Sequence, residues 1–161
     1  MRWIHSDYRD YRDCRNHRDY KHKDKKEGNM HPKQEELESK LSQLCQDLDN
    51  HLEDEYGSRY SIHPNRMKRG TGSNPRFDGL FSTSLAFTLG YGSKTGRGYV
   101  LEVDIRTLDR VSPSERREIE DKAFSFVEGD LATRFPDRDL SIVRDGNLMK
   151  IVGDFSLGDA Y

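Results

Sequence analysis

The sequence predicts an α+β fold in which two helices lie on one face of a mostly antiparallel sheet, forming a two-layer sandwich. Three patterns support this class: a leucine stripe at helical spacing, two neighbouring runs with strand-like alternation, and a strong helix-start signal. The expected order is α-β-β-β-α-β-β, with a sheet of four to five strands. We assign residues 30–161 to this single domain.

The first helix is predicted from Pro32 because five leucines recur at spacings of four, three, four and four residues. This spacing places them on one side of a helix, with carboxylates on the side facing water. Gly57 is the expected C-cap. A coiled coil could use the same stripe, but a helix packed on a sheet is the commoner setting. The leucines are Leu37, Leu41, Leu44, Leu48 and Leu52.

A short strand is predicted at 59–63, followed by a long connection at 64–79. The connection is rich in glycine, proline, asparagine and serine, which favour turns. Connections of this length are usually functional or disordered, and we expect a flexible loop.

Two further strands are predicted near 80–91 and 99–106, because both runs alternate apolar with small or polar residues. Pairing Tyr91 with Tyr99 matches the apolar residues on a single face and sets the expected register. The other pairs in this register are Leu89 with Leu101, Phe87 with Val103 and Leu85 with Ile105.

The second helix has the clearest start signal in the chain. Ser112 stands at the N-cap position, Pro113 at the first helical position and Glu115 three residues after the serine, which is a capping box. Pro136 is expected to end the helix. Its apolar stripe comprises Ile119, Ala123, Phe126, Val127 and Leu131, with Phe135 as an extension.

A terminal hairpin is predicted because the pair Asp145-Gly146 separates two short apolar runs. A two-residue turn at this pair sets Arg144 opposite Asn147. The two runs then supply the last strands of the sheet.

Residues 1–29 repeat an Arg-Asp-Tyr theme and continue into a lysine-rich stretch, with Trp3 and Ile4 as the clear apolar anchors. Such a segment buries too little apolar surface to offset its ordering entropy. Two interpretations stay open: a disordered arm of mixed charge, or a mis-assigned start with the natural chain beginning at Met30. No signal-peptide pattern is present.

The cysteines, the overall charge and the lack of long apolar runs indicate where the protein is expected to be located and which partners it is not expected to have. Cys14 and Cys45 fall in segments of opposite character, which argues against a disulfide and favours a cytoplasmic location. Cys14 with His17 and His22 supplies at most half of a zinc site, so no metal is predicted. The formal net charge is −2, and no apolar run is long enough to cross a bilayer, so no membrane partner is expected.

No catalytic or cofactor motif is found, and we expect a non-enzymatic protein without a cofactor. Cys45 lies beside the leucine stripe of an acidic helix, which would raise the pKa of its thiol and make it unreactive. His63 is the best acid–base candidate. A polar cavity holding His63 with Asp78 or Asp104 would favour an enzyme instead.

The sheet face opposite the helices is the first candidate site. It is expected to be flat, with small side chains and an apolar end, and its carboxylates disfavour base stacking. We predict a partner interface at Ala86, Val143, Leu148 and Val152. The alternative is that the tail, 155–157, folds over this patch.

A concentration of positive charge between residues 56 and 98 is the second candidate site. This stretch contains seven cationic side chains and a single carboxylate, Asp78. They could bind a phosphate backbone, contact an acidic partner helix, or only keep the loop soluble. The cations are Arg59, Arg66, Lys68, Arg69, Arg76, Lys94 and Arg97.

The sequence therefore favours a small binding protein that acts through a protein contact. Self-association through the open sheet face, giving a homodimer, is the main hypothesis. Nucleic-acid binding through the loop at 59–76 and the hairpin tip at 94–97 is the alternative.

Overall fold

The computed structural model describes residues 31–157. Its elements are α1 (Pro32–Tyr56), β1 (Phe81–Thr88), β2 (Gly98–Ile105), α2 (Pro113–Arg134), β3 (Leu140–Asp145) and β4 (Leu148–Gly153), with a 3-10 turn at Pro75–Phe77. The four strands are antiparallel in the order β1-β2-β4-β3, with α1 packed on β1, α2 packed on β3, and the helices in contact. The predicted α+β sandwich is confirmed. Residues 1–29, which include the predicted arm and Cys14, lie outside the described range.

The leucine stripe of α1 is confirmed as its buried side. All five leucines are buried, and Leu44, Leu48 and Leu52 have no exposed surface. The His31 side chain accepts a hydrogen bond from the Lys33 amide, 3.3 Å, at the start of the helix. The stripe therefore packs α1 onto the sheet, leaving its acidic side to water.

The capping box of α2 is confirmed. The Ser112 Oγ accepts from the Glu115 amide at 3.2 Å, and the Ser112 amide donates to the Glu115 carboxylate at 2.9 Å. Ile119, Ala123, Val127, Leu131 and Phe135 are buried, whereas Phe126 is half-buried and stacks on His51.

The predicted strand at 59–63 is wrong. The Ser61 amide donates to the Asp109 carboxylate at 2.6 Å, and the His63 amide donates to the Arg106 carbonyl at 2.9 Å. Because one of these bonds ends on a side chain and they do not repeat as a ladder, the segment runs as a turn and extended coil. The sheet therefore has four strands.

The predicted register of the first hairpin is wrong by four residues, since Tyr99 pairs with Phe87 rather than Tyr91. Residues 89–97 form a longer connection than expected. Gly90 has φ 69° and approaches the Gly96 carbonyl closely. An even shift keeps every side chain on its predicted face. It does, however, leave Phe87 51% and Tyr91 91% exposed, beyond the cover of the helices.

The terminal hairpin forms, but its turn lies one residue later than predicted. Asp145 pairs with Leu148, so the two-residue turn is Gly146-Asn147, with φ 61° at Gly146. Arg144 consequently pairs with Met149 instead of Asn147. The partner of Arg144 therefore shifts by two residues, from Asn147 to Met149. Because two is an even number, the same side chains stay on the buried face.

Candidate functional site

The open face of the sheet carries the predicted interface residues. One row runs across the four strands as Ala86, Val100, Lys150 and Val143. Ala86 is exposed, and Val143 is half-buried.

The apolar end of this face is at the surface. Leu148 is 50% exposed, and Val152 is half-buried. The tail does not fold over it as the alternative supposed, because Phe155 packs edge-on against Tyr99, with ring centroids 5.3 Å apart, on the helix side. Within residues 31–157 this patch is therefore not covered by the tail.

Lys150 lies at the centre of the open face and is only 2% exposed. The β1–β2 connection folds over it, so that its Nζ donates to Thr95 at 2.9 Å and to Ser93 at 3.1 Å. Asp145 completes the cluster as its counterion, 3.4 Å away. Hydrogen bonds from Ser93 and Thr95, together with Lys150, hold the pKa of Asp145 below its usual value.

Sequence reasoning missed this cluster. Strand alternation places Lys150 on the open face, but its hydroxyl partners are 55 and 57 residues away along the chain. A contact of that sequence separation leaves no local pattern. The Asp145 carboxylate balances the charge of Lys150, and the hydrogen bonds to Ser93 and Thr95 hold the β1–β2 connection against the sheet.

The predicted anion-binding loop uses three of its arginines internally. Arg66 donates to the carbonyls of Gly79 and Asp78 at 2.8 and 2.6 Å. Arg69 pairs with a carboxylate of α1, Asp54, at 2.7 Å. These bonds hold the loop against β1 and α1.

Arg59 is engaged in the same way, by Glu118 of α2, in a two-pronged contact at 3.2 and 3.4 Å, and it stacks over the Tyr56 ring. Within residues 31–157 the remaining four cations have no side-chain hydrogen bond or ion pair: Lys68, Arg76, Lys94 and Arg97. The structure therefore divides the predicted set into structural and surface cations.

A groove of about 590 Å³ lies between the N-terminal half of α1 and the end of the sheet where β1 finishes and β2 begins. Its walls are mainly apolar and include Leu41, Leu85 and Tyr99. Arg76 and Arg97 both line it, although they come from different loops. The fold thus brings two of the predicted anion-binding residues to one cavity.

A second cavity of about 350 Å³ lies between α1 and the loop at 64–79, and it is lined by Asp49, Glu53 and Asp78. Glu53 accepts from the Leu80 amide at 2.6 Å, and Asp78 accepts from the Gly70 amide at 2.9 Å, so both close the loop. Burial raises the pKa of Asp49 to about 6, and its Oδ1 has no partner in the described residues.

This cavity does not hold His63 with Asp78 or Asp104, the arrangement that would favour an enzyme. Neither His63 nor Asp104 lines it. Burial raises the pKa of the Cys45 thiol to about 11, consistent with an unreactive cysteine. Across 31–157 no group of His, Cys, Asp and Glu side chains has the arrangement of a metal site. Within the same range no helix is long and apolar enough to cross a membrane.

Comparison with known proteins gives a family but no activity. A family model described as "Uncharacterised protein" matches residues 32–153. An "Uncharacterized protein" of Borreliella burgdorferi (strain ATCC 35210 / DSM 4680 / CIP 102532 / B31) is 43% identical over 120 residues, covering 74% of this chain and 94% of that relative. No solved structure matches the chain. The residues that match the family model include both helices and all four strands of the described structure, so the chain belongs to this family.

Proposed function

We propose that this protein is a non-enzymatic binding module that associates with a second copy of itself through the open sheet face. The observation that carries the proposal is the uncovered apolar end of that face. Val143, Leu148 and Val152 reach the surface there, while the tail packs on the helix side. Exposed apolar patches on otherwise polar domains favour partner contacts.

The β1 part of the face suits close approach because its side chains, Ser84 and Ala86 among them, are small. The β1–β2 connection covers the face over Lys150, so the contact would lie beside this connection. A free lysine in the centre would oppose a dry contact, but Lys150 is already neutralised and hydrogen-bonded. Lys150 therefore adds no unpaired charge to the face.

Nucleic-acid binding is the weaker proposal. A phosphate-binding surface needs cations that are free to contact phosphates. Arg59, Arg66 and Arg69 are instead engaged within the molecule.

Replacing Leu148 with glutamate tests the dimer surface. We expect dimer dissociation to become at least about tenfold more favourable, because the interface would bury an unpaired carboxylate. Sedimentation velocity on the full chain measures this change. Leu108→Glu is the matched control, since Leu108 is a 73% exposed leucine of the β2–α2 connection, and we expect it to leave the mass unchanged.

A Leu148→Glu dimer as tight as the wild type would contradict the open-face contact. The β1 edge would then be the remaining sheet contact to test. β1 is an eight-residue edge strand without charged side chains, the kind of edge that can pair with another strand.

A further inference from the structure

We propose that the groove under α1 binds a small anionic amphiphile, an apolar chain or ring that ends in a carboxylate. The groove lies on the helix side of the sheet, away from the open face, so this inference is independent of the proposed self-association. Its volume of about 590 Å³ falls within the range of about 300–1,000 Å³ usual for small-molecule sites.

The walls supply the apolar part of the site. Leu37 and Leu41 of α1 lie on one side, and Leu85, Phe87 and Tyr99 of the sheet lie on the other. Phe87 is 51% exposed, although its ring packs edge-on against Tyr99 at a centroid distance of 5.4 Å. An apolar ligand would bury that exposed ring surface, which is the driving force expected of hydrophobic binding.

Two arginines supply the polar part. Arg76 comes from the 3-10 turn before β1 and Arg97 from the residue before β2, yet both line the groove. Neither guanidinium contacts a carboxylate within residues 31–157, in contrast to Arg59 and Arg69. A guanidinium presents paired donors that match a carboxylate, so the two arginines fit the charged end of the ligand.

The groove is not uniformly positive. Glu38 of α1 also lines it, and its Oε1 accepts from the Gln34 amide group at 3.2 Å. Two cations against one anion leave the groove cationic overall. An apolar cavity with a few charged groups fits a compact ligand with one anionic end better than a phosphate chain, which needs a long polar track.

Isothermal titration calorimetry of the full chain with decanoate, below its micelle concentration, tests this assignment. We expect saturable binding of one decanoate per chain. Decyltrimethylammonium carries a similar apolar tail and the opposite charge, and we expect it to bind at least about tenfold more weakly. Absence of saturable decanoate binding, or equal affinity for the two amphiphiles, would overturn the proposal.

Charge-neutral variants locate the site. We expect Arg76→Gln and Arg97→Gln each to weaken decanoate binding about tenfold, since each removes a charge-assisted hydrogen bond. Lys94→Gln is the matched control, because Lys94 is an exposed cation of the same hairpin that does not line the groove, and its effect should stay below about twofold. Decanoate affinity unchanged in both arginine variants would also overturn the proposal. Sedimentation velocity separates the groove proposal from the dimer hypothesis. Because the groove lies away from the open face, we expect Arg76→Gln and Arg97→Gln to have the same mass in solution as the wild type.

Discussion

Replacing Gly90 with alanine is expected to lower the free energy of unfolding by about 2–4 kcal/mol, as measured by urea denaturation. Gly90 has φ 69°, and a Cβ built there would lie 1.8 Å from the Gly96 carbonyl oxygen. Part of the loss is the cost of a left-handed alanine, and the rest is the clash with the backbone of the connection. The connection would have to move, and with it Ser93 and Thr95, which cover Lys150.

Gly92 provides the matched control for this prediction. It has a similar φ of 77°, but a Cβ built there would meet no atom within 4 Å. Gly92→Ala should therefore cost only the conformational part, about 1 kcal/mol. Equal losses in the two variants would show that the close approach of Gly90 to Gly96 does not constrain the connection.

Replacing Asp49 with asparagine is expected to stabilise the protein by about 1–3 kcal/mol at pH 7. Burial raises the pKa of Asp49 from 3.8 to about 6, and Oδ1 has no hydrogen-bond partner in the described residues. At neutral pH the folded protein therefore carries a poorly solvated carboxylate. Asparagine has nearly the same shape without the charge.

The pH dependence of this gain follows from the direction of the Asp49 pKa change. Between pH 3.8 and about 6 the folded state keeps the proton that the unfolded state has lost, so the stability contributed by Asp49 falls as pH rises through this window. We expect Asp49→Asn to match the wild type near pH 3.5 and to exceed it above pH 6, as measured by urea denaturation across this range. Asp137→Asn, at an exposed carboxylate, is the control and should change stability by less than about 0.5 kcal/mol. A gain independent of pH would contradict the assignment.

The fold class was predictable because its signals are local and agree with one another. The α1 leucines and the Ser112 capping box each specify a helix within a few turns. Strand alternation fixed which side chains face the core, and both register errors were even, so Leu101 and Val103 are buried as expected.

Register was harder to predict because it depends on the geometry of the connections. The glycines of 89–97 could have supported a tight turn as well as the longer connection that forms. Phe87 is exposed for the same reason, because the shifted pairing places it at the end of the sheet.

The candidate sites depend on contacts that are distant in sequence. The positive window was visible as composition, but the partners of Arg59 and Arg69 lie on α2 and α1. Sequence reasoning therefore treated the seven cations as one group, whereas the structure separates Arg76 and Arg97 as the pair that lines the groove. Packing, rather than charge density, decides which of them have partners within residues 31–157 and which line the groove.

Sedimentation equilibrium of the full wild-type chain tests the proposed self-association most directly. The chain mass is 18.8 kDa, and self-association predicts that the average mass rises toward twice this value as concentration increases through the micromolar range. A mass that stays at 18.8 kDa at every concentration up to the submillimolar range would contradict it.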